Sequence, residues 1–479
     1  MKRILIIILI VMLAFTGCSV SGNSTEITPV TEAEADVYDY ISFFEDEEIH
    51  EIYIEISEDD FTDILNNPMD EEYHEATITL DGVTLSSVGF RTKGNSTLKQ
   101  VAESDSERYS FKIKVNEYED QDLLGLDEFV INNMFSDASY LREYLSYEAM
   151  AANGLNVPLS SFVNVYINDE LYGFYLLVES VDDSFLERNF GDNDGNLYRA
   201  DQGTSLAITD GEYIENVSQK NGDDESKSDL YNLMEILNAM PDGEKGDIES
   251  VLDVESALRY IATNTLLENY DSLSGQHLQN YYLYNDDGRF VVIPWDYNMS
   301  FGGFGGAGQS TVDIDNPISG ITETSPLIEN LLEVDEYREL YYNILEDYMD
   351  YFSDFESDVT ELADMIRESV ENDPTKFTNM TLFESNVIFQ EDGAVEVAAM
   401  GDMENGGPPP GDRPNNESAT PPQGGRQSGN SNIPPTEGNQ MGGERMNDKG
   451  GNVQIGNDVS IINVLLARME NIKLQLSEK

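Results

Sequence analysis

Apolar residues alternate with charged or polar ones at Ile52, Ile54 and Ile56, the period of a strand buried on one face. Ser57-Glu58-Asp59-Asp60 follows as a capping box and predicts a short helix that stops near Pro68. Two β-type runs, 76–80 and 83–90, flank Asp81-Gly82, a two-residue hairpin turn. After a polar loop, a strand over 109–115 carries Lys112 and Lys114 two residues apart, hence on one face. The period then lengthens. Residues 139–153 read as a helix with Tyr140, Tyr144, Leu145, Tyr147, Glu148 and Met150 in two stripes, closed by Gly154. A second hairpin joins 162–167 to 172–179 around Asn168-Asp169, and helical spacing dominates beyond it, over about 226–239, 254–269, 327–351 and 355–370. Within that stretch, 279–284 and 289–293 form a third hairpin through Asp286-Asp287-Gly288.

The ends of the chain read differently. Lys2 and Arg3 precede an apolar run over 4–15, too short to span a bilayer comfortably, and Phe15-Thr16-Gly17-Cys18 resembles a bacterial lipoprotein cleavage box. The expectation is a signal peptide over 1–17 and export, with a lipid on Cys18 anchoring the protein to the extracytoplasmic face of the membrane. The alternative is an ordinary signal peptide or a signal anchor. Residues 18–48 read as a disordered tether, and the Gly-, Pro- and Asn-rich stretch 401–453 as a disordered insertion. A helix within 454–479 regains an apolar stripe through Ile461, Ile462, Leu465, Met469 and Ile472, which predicts that it docks back on the fold.

Composition narrows the function classes. With 26 Lys and Arg against 93 Asp and Glu, the formal charge is −67, which excludes a nucleic-acid binder held by phosphate contacts. Hydrophobic residues at 39% still supply a core. One cysteine and three scattered histidines build neither an internal disulfide nor a zinc site. Asp192-Asn193-Asp194-Gly195 lacks the rest of a calcium loop and reads as a surface turn.

Two features carry candidate chemistry. Arg91, Lys93, Lys99, Arg108, Lys112 and Lys114 reverse the overall charge sign locally, around a Gly94-Asn95-Ser96-Thr97 turn. Free N–H groups and hydroxyls beside cations suit a phosphate, although Gly- and Ser-containing turns between strands are common. Asp271 enters the third hairpin, Asp296 follows it, and Asn280 starts its first strand, so two carboxylates and an amide oxygen project from one end. Such an all-oxygen set suits Mg²⁺, Mn²⁺ or Ca²⁺; otherwise these residues close a helix, a loop and a turn. Glu148 is either an edge residue of its stripe or a partner for a strand lysine such as Lys112.

Arg91-Thr92-Lys93-Gly94-Asn95-Ser96-Thr97, Tyr140-Leu141-Arg142, Tyr172-Gly173-Phe174-Tyr175, Asn280-Tyr281-Tyr282-Leu283-Tyr284 and Pro294-Trp295-Asp296 occur in the order seen in the spore-coat protein H (CotH) kinase family. The chain resembles that family from about residue 51 to 303 and more loosely to 389. The resemblance implies an α+β, bilobal, atypical protein-kinase-like fold, with a strand-rich N-lobe over 49–180 and a mostly helical C-lobe over 181–400. It implies transfer of the ATP γ-phosphoryl to serine or threonine with Mg²⁺ or Mn²⁺. By the same likeness Arg91, Lys93, Gly94, Asn95 and Ser96 cover the phosphates, and Lys112 reaches them with Glu148 as its ion-pair partner. Lys114 is the rival to Lys112. Asp271 accepts the substrate proton, Asp296 and Asn280 hold the metal, and Glu179 begins an interlobe hinge. An acidic enzyme favours a basic, Ser-rich protein substrate. The other class left open is a cell-surface binding or adhesion module that keeps the fold without catalysis.

Overall fold

The isoleucines that alternate along 52–56 point into a closed seven-stranded barrel. The structure, a computed structural model, describes residues 39–44, 48–222, 225–304, 311–320, 324–391 and 459–479. The expected signal peptide, the lipidated Cys18, most of the tether and the 401–453 insertion lie outside the described residues.

The barrel comprises β1 (His50–Ile56), β2 (His74–Leu80), β3 (Val83–Lys93), β4 (Ser110–Lys114), β5 (Glu128–Asn132), β6 (Ser160–Ile167) and β7 (Glu170–Glu179). Their order is β1-β2-β3-β4-β5-β7-β6, and it closes because β6 pairs in parallel with β1, Ile54 opposite Ile167. Every second residue faces inward, among them Ile78, Leu80, Val88, Phe90, Phe111, Ile113, Phe129, Ile131 and Val163. Helix α1 (Glu58–Asn66) starts where expected, with Ser57 Oγ accepting from the Asp60 N–H at 3.1 Å. Where a polar loop was expected after β3, α2 (Ser96–Ala102) buries Leu98 and Val101 against the barrel. The tether also ends earlier than residue 48. Asp39–Phe44 forms a 3₁₀ turn that buries Tyr40, Phe43 and Phe44, aromatic residues whose pull toward the core outweighs their acidic surroundings.

Helix α3 (Arg142–Ala152) lies between β5 and β6 in the chain, and α4 (Asp183–Phe190) follows β7. The second half was expected to be mostly helical around one hairpin. It contains in addition a four-stranded sheet, formed by β8 (Leu197–Ala200), β11 (Val217–Asn221), β12 (Tyr281–Asp286) and β13 (Arg289–Pro294) in the order β11-β8-β12-β13. Strands β9 (Ala207–Thr209) and β10 (Glu212–Ile214) make a separate ribbon. Around the sheet pack α5 (Ser228–Asn238), α6 (Val254–Leu266), α7 (Pro326–Glu333), α8 (Asp335–Tyr351), α9 (Phe355–Asn372), α10 (Met380–Asn386) and α11 (Ile461–Leu476). The single helix expected over 327–351 breaks at Val334, which turns extended (φ −77°, ψ 116°) and buries its side chain. From α11, Ile461, Ile462, Leu465, Met469 and Ile472 enter the core, while Arg468 pairs with Glu268 at 3.0 Å.

The fold is of the α+β class, and one core crosses from the barrel into the helical half. Val130, Phe162, Phe174, Leu176 and Val178 on the barrel's outer face pack with α3 and, through it, with α6 and α8. A buried ion pair joins the same surfaces, Arg108 Nη1 to Asp373 Oδ2 at 2.6 Å. The Arg108 guanidinium also donates to the carbonyls of Asn133 and Phe174 and stacks on Tyr175, 4.3 Å from the ring centroid. Gly173 leaves room for it, since a Cβ there would come within 2.7 Å of Arg108 Nη1. Both Gly173 and Tyr175 of the Tyr172–Tyr175 motif therefore serve this packing.

Candidate active site

Strand register decides which cations face the third hairpin. On β3 and β4, Arg91 lies opposite Lys112 and Lys93 opposite Ser110, so all three side chains leave the barrel on its outer face. Their partners then separate them. Arg91 turns to Glu71, donates to the Thr92 carbonyl and lies over Tyr73, so it is committed to the barrel's own surface rather than to a phosphate. Lys114 pairs with Glu117 at 3.0 Å. Lys112 pairs with Glu128 at 2.5 Å, not with Glu148. Lys93 alone among them reaches inward, donating to Asn132 Oδ1 at 3.0 Å with its Nζ 5.6 Å from the Trp295 ring centroid.

The carboxylate of α3 that meets this lysine is Glu143. It accepts from Asn132 Nδ2 at 2.9 Å and from the Tyr147 hydroxyl at 3.2 Å, and Tyr147 accepts in turn from the Asp296 N–H at 3.1 Å. A chain of hydrogen bonds thus runs from Lys93 through Asn132, Glu143 and Tyr147 to the backbone of Asp296. Burial, and after it the charge of Asp296, raises Glu143 to about 7; burial also raises Asp296, and the nearby Lys93 charge opposes the rise in both. Burial likewise lowers Lys93, with Asp296 and then Glu143 pulling it back. Glu148 is the one position of 142–150 that is not buried, five residues beyond Glu143 on the same helix.

Asp271 and Asp296 both stand at the open end of the β12–β13 hairpin. Asp271 Oδ1 accepts from Gln279 at 2.8 Å, and the Asn280 amide donates to the Asp271 carbonyl at 2.8 Å and to its Oδ2 at 3.2 Å. No donor among the described residues reaches Asn280 Oδ1. Asn280 (φ 62°) and Asp296 (φ 58°) both hold left-handed backbone, a strained conformation that clusters at functional sites. Among the described residues no hydrogen bond or ion pair reaches the Asp296 carboxylate, and no three His, Cys, Asp or Glu side chains converge as a metal cluster.

Burial, and after it the charge of Asp296, push the Asp271 carboxyl from 3.8 up to about 7. The folded protein then holds this proton more tightly than the unfolded chain. The group's stabilising share is complete below pH 3.8 and is lost as pH rises through about 7. Asp271→Asn is therefore expected to narrow the fall in melting temperature between pH 5 and pH 8 by several degrees in calorimetry. An unchanged gap would mean that the carboxyl is solvated.

The remaining sites expected from sequence are placed as follows. Gly94 takes φ +133°, and Asn95 and Ser96 are exposed where α2 begins, just past Lys93. The buried Glu179 carboxylate is filled by Tyr40 OH at 2.7 Å, Arg188 Nη2 at 2.5 Å and the Leu159 N–H at 3.0 Å, so it is not free to meet a ligand. His277 bonds Gln202 at 3.0 Å.

Glu143, Asn132, Tyr147 and, from the second sheet, Arg199 were missed. Arg199 pairs with Asp201 at 2.7 Å and is close enough to Asp296 to favour its ionised form. The available signal was charge, since an arginine in so acidic a chain is uncommon.

A protein-family profile described as CotH kinase protein matches residues 90–398, well over half of the chain. The inner spore coat protein H of Bacillus subtilis (strain 168) is 26% identical over 280 residues, covering 56% of this chain and 75% of that protein. The match begins inside β3 and takes in Lys93, Asn132, Glu143, Asp271, Asn280 and Asp296. The chain therefore belongs to the CotH kinase protein family.

Proposed function

We propose that this protein is a CotH-type kinase that transfers the γ-phosphoryl group of ATP to serine or threonine hydroxyls of protein substrates. On this reading the barrel is the N-lobe and the helical half the C-lobe of a bilobal, kinase-like layout, with the active site between them. The observation that carries the reading is Lys93, a barrel lysine sunk beside Glu143 and Asp296 and facing the hairpin that holds Asp271. Lys93 takes the role expected of Lys112, and Glu143 the role expected of Glu148. Lys93 would balance phosphate charge while Asn132 and Glu143 fix its ammonium.

Asp296 and Asn280 Oδ1 fit Mg²⁺ or Mn²⁺, because such ions are held by one or two carboxylates with the remaining positions left to water and phosphate oxygens. A bound divalent cation would neutralise charge on the transferring group. Asp271, with its carboxyl near 7, suits proton acceptance at neutral pH. The acceptor O–H breaks as its oxygen bonds phosphorus, the phosphorus–oxygen bond to ADP breaks, and the proton passes to Asp271.

The acidic surface favours a basic, Ser-rich acceptor, and lipidation of Cys18 on the extracytoplasmic face remains part of this proposal. The name of the Bacillus subtilis relative supports a second reading, a spore-coat or envelope role without catalysis.

Incubation of the full chain with labelled ATP, Mn²⁺ and a basic Ser-rich peptide separates the two. Wild type is expected to label the peptide, Lys93→Met to lose about a hundredfold or more and Lys112→Met about tenfold. Full activity in Lys93→Met with loss in Lys112→Met would restore Lys112 to the central role. A wild type that labels nothing would favour the coat reading.

A further inference from the structure

Lys220 sits on β11, the edge strand of the second sheet, where pairing with β8 slips. Gln219 lies opposite Tyr198 and Asn221 opposite Leu197, which leaves Lys220 in a bulge without a cross-strand partner. Bulges re-aim side chains and recur beside active sites. The Lys220 side chain is exposed over most of its length, yet packing around its ammonium, and after it the repulsion of two nearby cations, Arg199 of β8 and Lys112 of the barrel, lowers its proton affinity. The two acids close to it are already engaged. Asp201 holds Arg199 at 2.7 Å and Glu128 holds Lys112 at 2.5 Å. Among the described residues no hydrogen bond or ion pair reaches the Lys220 ammonium. Three cations therefore stand near one another in a chain of net charge −67, and Lys220 alone of the three has no carboxylate partner among the described residues, which leaves its charge open to an anion.

We propose that Lys220 is a phosphate-binding residue, set by the β11 bulge to grip the nucleotide's phosphate chain from the sheet side, beside Arg199 and Lys112. The inference rests on the kinase reading for the identity of the ligand, but the anion seat itself does not need it. Lysine on an edge strand also discourages unwanted strand pairing, a role that leaves ligand affinity untouched.

Calorimetric titration of the full chain with ATP, adenosine and inorganic tripolyphosphate, each with Mg²⁺, tests the proposal. Lys220→Met is expected to weaken ATP and tripolyphosphate about tenfold or more while adenosine binding stays within twofold. Lys220→Arg should keep most of the affinity, and Lys473→Met, at an exposed position of α11, should change nothing. ATP and tripolyphosphate affinities unchanged in Lys220→Met would overturn the assignment while leaving the kinase reading intact. If wild type binds tripolyphosphate but not ATP, and Lys220→Met loses it, the kinase reading fails and the anion seat stands. A wild type that binds neither overturns both.

Discussion

Asp296→Asn is expected to give a folded protein that melts no lower than wild type yet transfers phosphate at least roughly 10²–10³-fold more slowly. The substitution keeps the shape of the side chain and tolerates the left-handed backbone at this position (φ 58°). What it removes is a half-buried negative charge that no ion pair or hydrogen bond among the described residues reaches, although the more distant Lys93 and Arg199 charges favour it. A neutral amide loses less on leaving water than a carboxylate does, and Glu143 is relieved of a like charge. On the proposed reading the same charge holds the divalent ion, so stability and activity part company, as they commonly do at active sites. Thermal melts and single-turnover labelling read the two effects separately. A variant as active as wild type would remove Asp296 from the chemistry, and an unfolded one would make it structural.

The largest stability effect is expected at Arg108. Its guanidinium and the Asp373 carboxylate are both fully buried. Arg108→Met leaves Asp373 charged in the core and strips the Phe174 and Asn133 carbonyls of their donor. The expected cost is about 3–5 kcal/mol. Pairing it with Asp373→Leu should recover part of that loss, because replacing both members of a buried pair removes the stranded charge. Urea midpoints of the single and double variants check this. A double variant weaker than the single would mean that Asp373 acts mainly through the Phe174 N–H, which it accepts at 3.0 Å.

Local patterns were readable where each element carries its own signal. The alternation at Ile52, Ile54 and Ile56, the Asp81-Gly82 turn and the helical spacing of Val254 to Leu266 correspond to β1, the β2–β3 turn and α6. Closure of the barrel was hidden, because it depends on a parallel pairing of β1 with the distant β6, and periodicity carries no record of which strands meet. Strands β8 and β11 escaped notice for another reason. Leu197-Tyr198-Arg199-Ala200 is short, and Val217-Ser218-Gln219-Lys220-Asn221 is largely polar, so neither alternates cleanly. The candidate site follows the same division. That Asp271 and Asp296 share one end of a hairpin is a local property of β12 and β13. The choice between Lys93 and Lys112 is not, since both project from the outer face and only their partners tell them apart. Glu148 looked like the inward carboxylate because α3 was read as having two stripes. The helix is buried almost all round, and its apolar pattern does not single out Glu143.

The core that passes from the barrel's outer face through α3 into the helical half bears on how a ligand enters and leaves. Two walls that share an interior do not gape like jaws on a loose pin, because parting them would expose Phe162, Phe174 and Leu176 to water. On the proposed reading, traffic into the site between them would fall to its rim, where the Gly94–Ser96 turn and β11 bury few apolar atoms.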